Sequence, residues 1–259
     1  MAEARLLALP PGIRFGPLRW LAEVDSTNDE AAALAAAEPS AGPGWGVAVG
    51  ADHQRRGRGR RGRRWESPPE ASLLLSAAWT PPWPAAATPL ATVALALAAA
   101  EATEEATGVA PGLKWPNDLV VPAGTGARPE EPAKLGGVLG EARGGVVVAG
   151  VGLNLAWPGP PPPGAVDVAG AGGEVVAATE LAAAVLARLE ALLRGSPSMV
   201  VEGARRRSAT LGRAVRVRMA SGAVHTGTAC DLTDDGHLVV ATPQGPVTVA
   251  AGEVLTLRS

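Results

Sequence analysis

The hydrophobic pattern of this chain changes near residue 212, and no other feature limits its possible folds as strongly. Before that point, apolar runs typical of strands alternate with alanine-rich stretches typical of helices. The predicted strands span residues 46–50, 72–79, 135–139 and 145–155, and the predicted helices span 28–37, 90–107, 180–194 and 199–207. This alternation predicts a mixed α/β domain over residues 1–210.

The remaining residues, 211–259, carry short alternating runs at 214–219, 224–231, 237–241 and 247–250. Turn sequences such as Ser221-Gly222 and Gln244-Gly245 separate these runs, which favours closely spaced hairpins. The segment therefore predicts a small β-barrel. Two stretches rich in proline and glycine, 122–132 and 157–164, are predicted to be exposed loops.

The composition excludes several classes of protein. With 47% hydrophobic residues and a formal net charge of -2, the chain can bury a substantial core and is neither disordered nor collagen-like. The single cysteine, Cys230, excludes an intramolecular disulfide and is typical of a reducing compartment. No apolar run is long enough for a membrane span or a signal peptide, so we expect a soluble, cytoplasmic protein.

Lysine is rare here and is found only inside unusual motifs. Lys114 and Lys134 are the only lysines among the 23 lysine and arginine residues of the chain. Lys114 begins the run Lys-Trp-Pro-Asn-Asp, and Lys134 begins Lys-Leu-Gly-Gly-Val-Leu-Gly-Glu. Because a compact ammonium and a planar guanidinium are not interchangeable, both lysines are candidate functional residues.

The densest chemistry lies between Gln54 and Trp65. Seven arginines fall within residues 55–64, and the glycines between them let the backbone bend toward a phosphate. The segment is compatible with a solvated basic loop, a nucleic-acid-binding arm, or a loop that folds over a nucleotide or carboxylate. A nucleic-acid arm usually accompanies a net positive domain, so the charge of -2 favours a small anion.

Five motifs in order resemble those of biotin protein ligases. They are Asp25-Ser26-Thr27-Asn28, the Gly-Arg-Gly-Arg-Arg-Gly-Arg-Arg-Trp run at 57–65, Lys-Trp-Pro-Asn-Asp at 114–118, Lys-Leu-Gly-Gly-Val-Leu at 134–139 and Gly-Val-Gly-Leu-Asn at 150–154. The resemblance covers residues 23–257. It implies an α/β (α+β) catalytic domain of the biotin/lipoate ligase type with a mixed sheet, followed by an SH3-like β-barrel.

The resemblance also implies an activity. Members of this family activate biotin with MgATP to biotinyl-5′-adenylate and pyrophosphate, and then transfer biotin to a lysine of a biotin carboxyl carrier protein domain of a biotin-dependent carboxylase. The implied catalytic residues are Arg60, Lys134, Lys114 and Asp118. The implied biotin-binding residues are Ser26, Thr27, Asn28, Gln54, Gly57, Arg58, Gly59, Arg60 and Lys134. The implied ATP-binding residues are Arg58, Arg60, Arg61, Arg63, Trp115, Asn117, Asp118 and Asn154, with Mg²⁺ carried mainly by the phosphates.

Several of these residues have structural alternatives. Ser26 and Thr27 are good helix caps, Trp115 is equally a packing anchor, and Asn154 is a common turn residue. Arg55 and Arg56 stand where the family has small or polar residues. The adenine-stacking tryptophan of well-known members has no match within 165–176, which leaves the contact with adenine open.

Three other functions stay open. They are a lipoate or octanoate ligase or transferase of the same fold, an arginine-rich nucleic-acid-binding protein, and an inactive biotin-binding module. The catalytic motifs begin at residue 25, which leaves no room for the helix-turn-helix domain that some family members carry. We therefore expect no DNA binding and no repressor activity, and a monomer or weak homodimer.

Overall fold

The computed structural model describes residues 4–37, 45–121, 132–143, 145–219 and 221–257. Within these ranges the strands are β1 (Arg5–Leu7), β2 (Leu18–Val24), β3 (Gly46–Gln54), β4 (Ser72–Trp79), β5 (Gly112–Lys114), β6 (Asp118–Val121), β7 (Ala133–Arg143), β8 (Val146–Asn154), β9 (Ala214–Met219), β10 (Val224–Leu232), β11 (Leu238–Thr242), β12 (Gly245–Val249) and β13 (Gly252–Thr256). The helices are α1 (Thr27–Ala37), α2 (Leu90–Thr107), α3 (Ala178–Arg194) and α4 (Pro197–Arg206).

The first sheet has eight strands in the order β1-β2-β3-β4-β8-β7-β6-β5. Strands β2 and β3 run parallel, and the other neighbouring pairs run antiparallel. The sheet is therefore mixed, which confirms the predicted α/β fold class. Strands β4 and β8 lie at its centre and pair along their whole length, from Ser72 opposite Asn154 to Trp79 opposite Val147.

Helices cover both faces of this sheet. Because side chains alternate along a strand, Val49 and Ala51 of β3 pack toward α1, whereas Ala48 packs into the main core on the other side. That main core contains the buried residues of α2 and α3, such as Leu95 and Leu189. Strands β7 and β8 consequently have one face turned to a closed core and one face near the start of α1.

The second sheet is antiparallel, with five strands in the order β12-β11-β10-β9-β13. Its inner residues, such as Val215, Val217 and Val240, are completely buried and cluster with Leu90 of α2 and Val201 of α4. The second sheet thus packs against the helices of the first. The SH3-like closure of this sheet and the boundary at residue 210 remain predictions.

The longer predicted elements are confirmed to within a few residues, whereas several short strands were not predicted. The strands without a prediction are β1, β2, β5, β6 and β13. Most have only three to five residues, too few for a periodic pattern to stand out from the turns around them. Residues 157–164 have no helix or strand, as predicted. The other predicted loop lies outside the described residues except for Pro132.

No helix within the described ranges is long and apolar enough to cross a membrane.

A buried ion pair joins the segment before β2 to helix α3. The Nε atom of Arg14 donates to Glu190 at 2.7 Å, and both side chains are only 8% exposed. Arg194, one turn further along α3, donates to the other carboxylate oxygen at 2.8 Å. Burial alone would raise the pKa of Glu190, but the hydrogen bonds from Arg14 and Arg194 lower it from 4.5 to about 2.

Replacing Glu190 by glutamine is expected to destabilise the fold by about 2–3 kcal/mol at pH 7, because Arg14 stays buried without its counter-charge. The folded-state pKa lies below the unfolded one, so the carboxylate stabilises the protein above pH 4.5 and this contribution is lost as the pH falls toward 2. Chemical denaturation of both proteins between pH 7 and pH 3 measures the difference. A free-energy gap that does not narrow on acidification would contradict this role.

Candidate active site

A cleft of about 370 Å³ lies on the α1 side of the first sheet. Its walls come from the start of α1, the arginine segment, the turn between β5 and β6, strands β7 and β8, and β13 of the second sheet. The predicted site residues that line it are Ser26, Thr27, Asn28, Gln54, Arg58, Gly59, Arg60, Arg61, Arg63, Lys114, Trp115, Asn117, Asp118 and Lys134. Residues far apart in sequence thus meet in one cavity.

Neutral polar side chains form one end of the cleft, where α1 begins. The backbone N–H and the hydroxyl of Thr27 lie 2.8 and 3.0 Å from Gln54 Oε1. The Ser76 hydroxyl lies 2.7 Å from Thr27 Oγ1 and 2.5 Å from Asn28 Oδ1. Ser26 Oγ accepts weakly from the N–H of Asp29 at 3.4 Å, so the capping role and the cleft-lining position coexist. These groups can donate to and accept from a neutral polar ligand.

Glycines form the floor beneath these side chains. The register of β7 and β8 sets Gly137 opposite Gly152, and Leu139 opposite Gly150. A Cβ atom on Gly150 would lie 2.1 Å from Asn28 Oδ1, and one on Gly152 would lie 2.5 Å from the Trp65 ring. The sheet therefore leaves room at these two positions for side chains that reach across it.

Replacing Gly150 by alanine is expected to weaken binding of biotin, the ligand that the sequence resemblance implies, by about 10-fold to 100-fold. The new methyl group would displace Asn28 and break its hydrogen bond with Ser76. Calorimetric titration with biotin measures the change. Gly159→Ala is the matched control, since a Cβ atom there would meet no other heavy atom within 4 Å. Equal affinities for both variants would contradict the proposed packing.

The arginine segment folds as a narrow hairpin over the cleft. Arg58 pairs with Arg64 across it, and the N–H of Trp65 donates to the Gly57 carbonyl at 3.0 Å. At the tip, Arg61 adopts a left-handed conformation with φ of 57° and ψ of 38°. Such a conformation is uncommon for a residue with a side chain and persists where the surroundings hold it.

Each arginine that lines the cleft within residues 58–63 has a polar partner. Arg58 lies 2.6 Å from Asp29, and Arg60 Nη1 donates to Asn117 Oδ1 at 3.2 Å. Arg61 and Arg63 both reach Glu253 of β13. Burial lowers the pKa of Arg60, and the positive charge of Arg61 lowers it further. An anion in the cleft would therefore be stabilised by this concentration of positive charge.

Lys134 of β7 lines the same cleft. Its ammonium is 2.8 Å from Asp118 Oδ1 and 5.8 Å from the centre of the Trp65 ring. A Cβ atom on Gly137 would lie only 3.3 Å from Lys134 Nζ, so the space around the ammonium is limited. Lys114 lines the cleft at the end of β5, where the chain turns toward Asp118.

Trp115 connects the two sheets. Its indole N–H donates to the Gly236 carbonyl at 3.1 Å, and its backbone N–H donates to the Thr210 hydroxyl at 2.9 Å. The ring packs against the core of the second sheet as well as lining the cleft. The packing interpretation of this residue is therefore supported.

Two predicted site residues do not line the cleft. Asn154 is only 3% exposed, and its amide accepts from Ser72 at 3.4 Å and donates to the Val166 carbonyl at 3.0 Å. Its polar atoms thus hold the loop after β8, and direct contact with ATP is not supported. Gly57 is buried, and a Cβ atom there would lie 2.3 Å from the Trp65 carbonyl oxygen. The absence of a side chain at Gly57 permits the hairpin to close, and a contact between Gly57 and biotin stays a prediction.

Several residues that line the cleft had no role assigned from sequence. Trp65, Gly150 and Gly152 were named only as members of motifs. The spacing of Gly150 and Gly152 in β8 nevertheless indicates a strand face without side chains. Glu253 lies 190 residues after Arg63, and no local pattern links them. Only the packing of the second sheet brings that carboxylate to the cleft.

Oxygen ligands suited to Mg²⁺ are present on Asn117 and Asp118. Within the described part of the chain, no group of three or more histidine, cysteine, aspartate or glutamate side chains is arranged to hold a metal ion. These two residues could thus supplement ligands that a bound polyphosphate supplies, but would not form a complete metal site themselves.

Comparison with known proteins identifies the protein family to which this chain belongs. Residues 21–156 match the model of the biotin/lipoate A/B protein ligase family, and residues 210–256 match that of the biotin protein ligase C-terminal domain. The chain therefore belongs to the biotin/lipoate A/B protein ligase family.

Individual proteins similar to this chain include biotin ligases of known sequence and structure. The chain is 33% identical to the biotin–[acetyl-CoA-carboxylase] ligase of Mycobacterium tuberculosis over 255 residues, which cover 95% of this chain and 91% of the relative. It is 34% identical to the ligase of the same name from Paracoccus denitrificans, over 90% of this chain and 98% of the relative. The structure of the Aquifex aeolicus biotin protein ligase in complex with biotin and ATP matches with a TM-score of 0.74 and 27% identity, over 93% of this chain and 99% of the other.

Proposed function

We propose that this protein is a biotin protein ligase, which activates biotin with MgATP and transfers it to a lysine of a biotin carboxyl carrier protein domain. One observation carries the proposal: a single cleft joins buried neutral hydrogen-bonding groups to a cluster of arginines and a lysine. A neutral polar head with a carboxylate tail, beside a polyphosphate, has this distribution of charge. The names of the relatives support biotin as the acid.

The neutral end of the cleft would bind the ureido ring of biotin. Ser26, Thr27, Asn28 and Gln54 offer both donors and acceptors there, and the backbone around Thr27 is already oriented by Gln54. The tail carboxylate would then extend along the glycine floor toward Lys134 and Arg58. Because the polar groups are buried and mutually bonded, they need little rearrangement to bind.

The first step would join the carboxylate to the α-phosphate of ATP. A carboxylate oxygen attacks the α-phosphorus, the bond to the bridging oxygen breaks, and pyrophosphate leaves with the bonding electrons. Arg60 and Lys134 would stabilise the negative charge that develops on the phosphate oxygens, while Arg61 and Arg63 would bind the outer phosphates. Magnesium, carried by the phosphates, would neutralise part of their charge, with Asp118 and Asn117 as protein oxygens nearby.

The second step would consume the mixed anhydride. The amine of the acceptor lysine attacks the carbonyl carbon, AMP leaves, and the amide forms with loss of one proton. Asp118 would accept a proton or orient the amine, and Lys114 would add positive charge near the leaving phosphate; both residues line the cleft. The arginine hairpin would cover the anhydride and exclude water. A cytoplasmic location and a monomer or weak homodimer are part of the proposal.

Exchange of labelled pyrophosphate into ATP tests the proposal. The purified protein with Mg²⁺ is incubated separately with biotin, lipoate, octanoate and no acid. Biotin alone is expected to support exchange. Exchange with lipoate or octanoate instead would retain the fold and overturn the substrate, and biotin binding without exchange would indicate a binding module.

The nucleic-acid alternative has a separate test. The arginines of the hairpin line a cleft and bond to carboxylates of the same protein, which favours a small anion over an extended strand. Binding of oligonucleotides without ATP, with a steep dependence on salt, would reverse that preference.

A further inference from the structure

The second sheet contributes one carboxylate to the arginine cluster. Glu253, on β13, lines the cleft and is one third exposed. Its two oxygens lie 3.2 Å from Arg61 Nη1 and 2.5 Å from Arg63 Nη2. Since the hairpin follows β3 of the first sheet, Glu253 forms an ionic contact between the second sheet and the hairpin over the cleft.

This carboxylate is bound as an anionic ligand would be. Guanidinium donors suit the oxygens of a carboxylate and of a phosphate alike. The hydrogen bond from Arg63, together with its charge, lowers the pKa of Glu253 and so favours the ionised carboxylate. Arg61, whose backbone is left-handed, is one of its two partners, so Glu253 helps to hold the uncommon conformation at the tip of the hairpin.

A third arginine is near Glu253. Arg218 of β9 lies directly opposite it in the strand register, and its charge also favours the ionised carboxylate. If Arg61 and Arg63 turned to another anion, Glu253 would remain beside a positive charge. The contact with the hairpin can therefore open without leaving a carboxylate isolated.

We propose that Glu253 is a positioning residue that holds Arg61 and Arg63 before nucleotide binds and is displaced from them by the polyphosphate. That the competing anion is a nucleotide rests on the proposed function. The competition between Glu253 and a polyphosphate for the same arginines does not. Glu253 would keep the hairpin over the cleft in the free protein and would weaken polyphosphate binding. Release of pyrophosphate would let the contact form again.

Binding of inorganic tripolyphosphate, measured by calorimetry without biotin, tests the competition. Glu253→Gln is expected to bind about threefold to tenfold more tightly than the wild type, because two partly exposed ion pairs no longer compete. Glu105→Gln is the matched control: Glu105 pairs with Arg188 of α3 at 2.5 Å, and neither residue lines the cleft. Its affinity is expected to stay within about twofold of the wild type.

Unchanged or weaker binding by Glu253→Gln, in a protein that unfolds at the wild-type temperature, would overturn the proposal. A second measurement needs no ligand. Trypsin should cleave the free Glu253→Gln protein several-fold faster within residues 55–64 than it cleaves Glu105→Gln, because the hairpin is no longer held. Equal cleavage rates would also overturn it. Since neither measurement uses biotin, failure here is distinguishable from failure of the biotin-dependent exchange.

Discussion

Replacing Lys134 by arginine is expected to slow formation of biotinyl-5′-adenylate about 100-fold to 1000-fold, although the charge is kept. The ammonium lies 2.8 Å from Asp118, close to the backbone at Gly137 and to the Trp65 ring. A planar guanidinium is broader and cannot direct its donors to the same point. Single-turnover formation of the adenylate, with biotin and ATP both saturating, measures the loss.

The control for this experiment is Arg188→Lys, which exchanges the same two residue types in the opposite direction on α3, where Arg188 pairs with Glu105. It is expected to leave adenylate formation unchanged. Near-normal activity of Lys134→Arg would show that only positive charge is required at this position, and would remove the special role proposed for the lysine.

Replacing Arg60 by glycine is expected to release the adenylate about 10-fold to 100-fold faster, because a charged hydrogen bond to the phosphate is lost from a half-buried site. Arg60 lies on the hairpin and bonds to Asn117, so its loss also loosens the hairpin over the cleft. Released adenylate reacts with any exposed amine, and bystander lysines should become biotinylated. Dissociation of labelled adenylate and biotinylation of an added unrelated protein are the two measurements.

Arg56→Gly is the control for Arg60→Gly. It removes one positive charge from the same segment but leaves Arg60 in place. Arg56 is exposed and does not line the cleft, although it belongs to the same run of arginines. This variant is expected to retain the adenylate as the wild type does. Equal release from both variants would show that the total charge of the segment, and not the position of Arg60, retains the intermediate.

Long regular elements could be predicted from sequence because their patterns are local. The alanine-rich run of α2 was predicted to span residues 90–107 and does so, and the apolar run of β4 was predicted with its observed bounds. Strands β5 and β6 have three and four residues and depend on pairing with each other and with β7. Their existence is decided by neighbours that the local sequence does not contain.

Site residues could likewise be predicted where a local motif contains them, but the direction of a side chain could not. Ser26, Arg60 and Lys134 were predicted because each belongs to a short motif of unusual composition, and all three line the cleft. Asn154 also belongs to a motif, but its side chain turns to Ser72 and Val166, and no sequence pattern distinguishes that direction from the opposite one.

The sequence by itself determined the class of chemistry: two lysines, a run of arginines with glycines, and short polar motifs in a fixed order are local features that predict an anion-binding enzyme. Only the tertiary structure decided which charges meet. The glycine floor under Asn28 depends on the register of β7 and β8, and the contact between Arg63 and Glu253 depends on how the second sheet packs against the helices of the first. Ionic contacts of this kind act over a few ångströms in space, whatever their separation along the chain, so they are set by packing and not by local pattern.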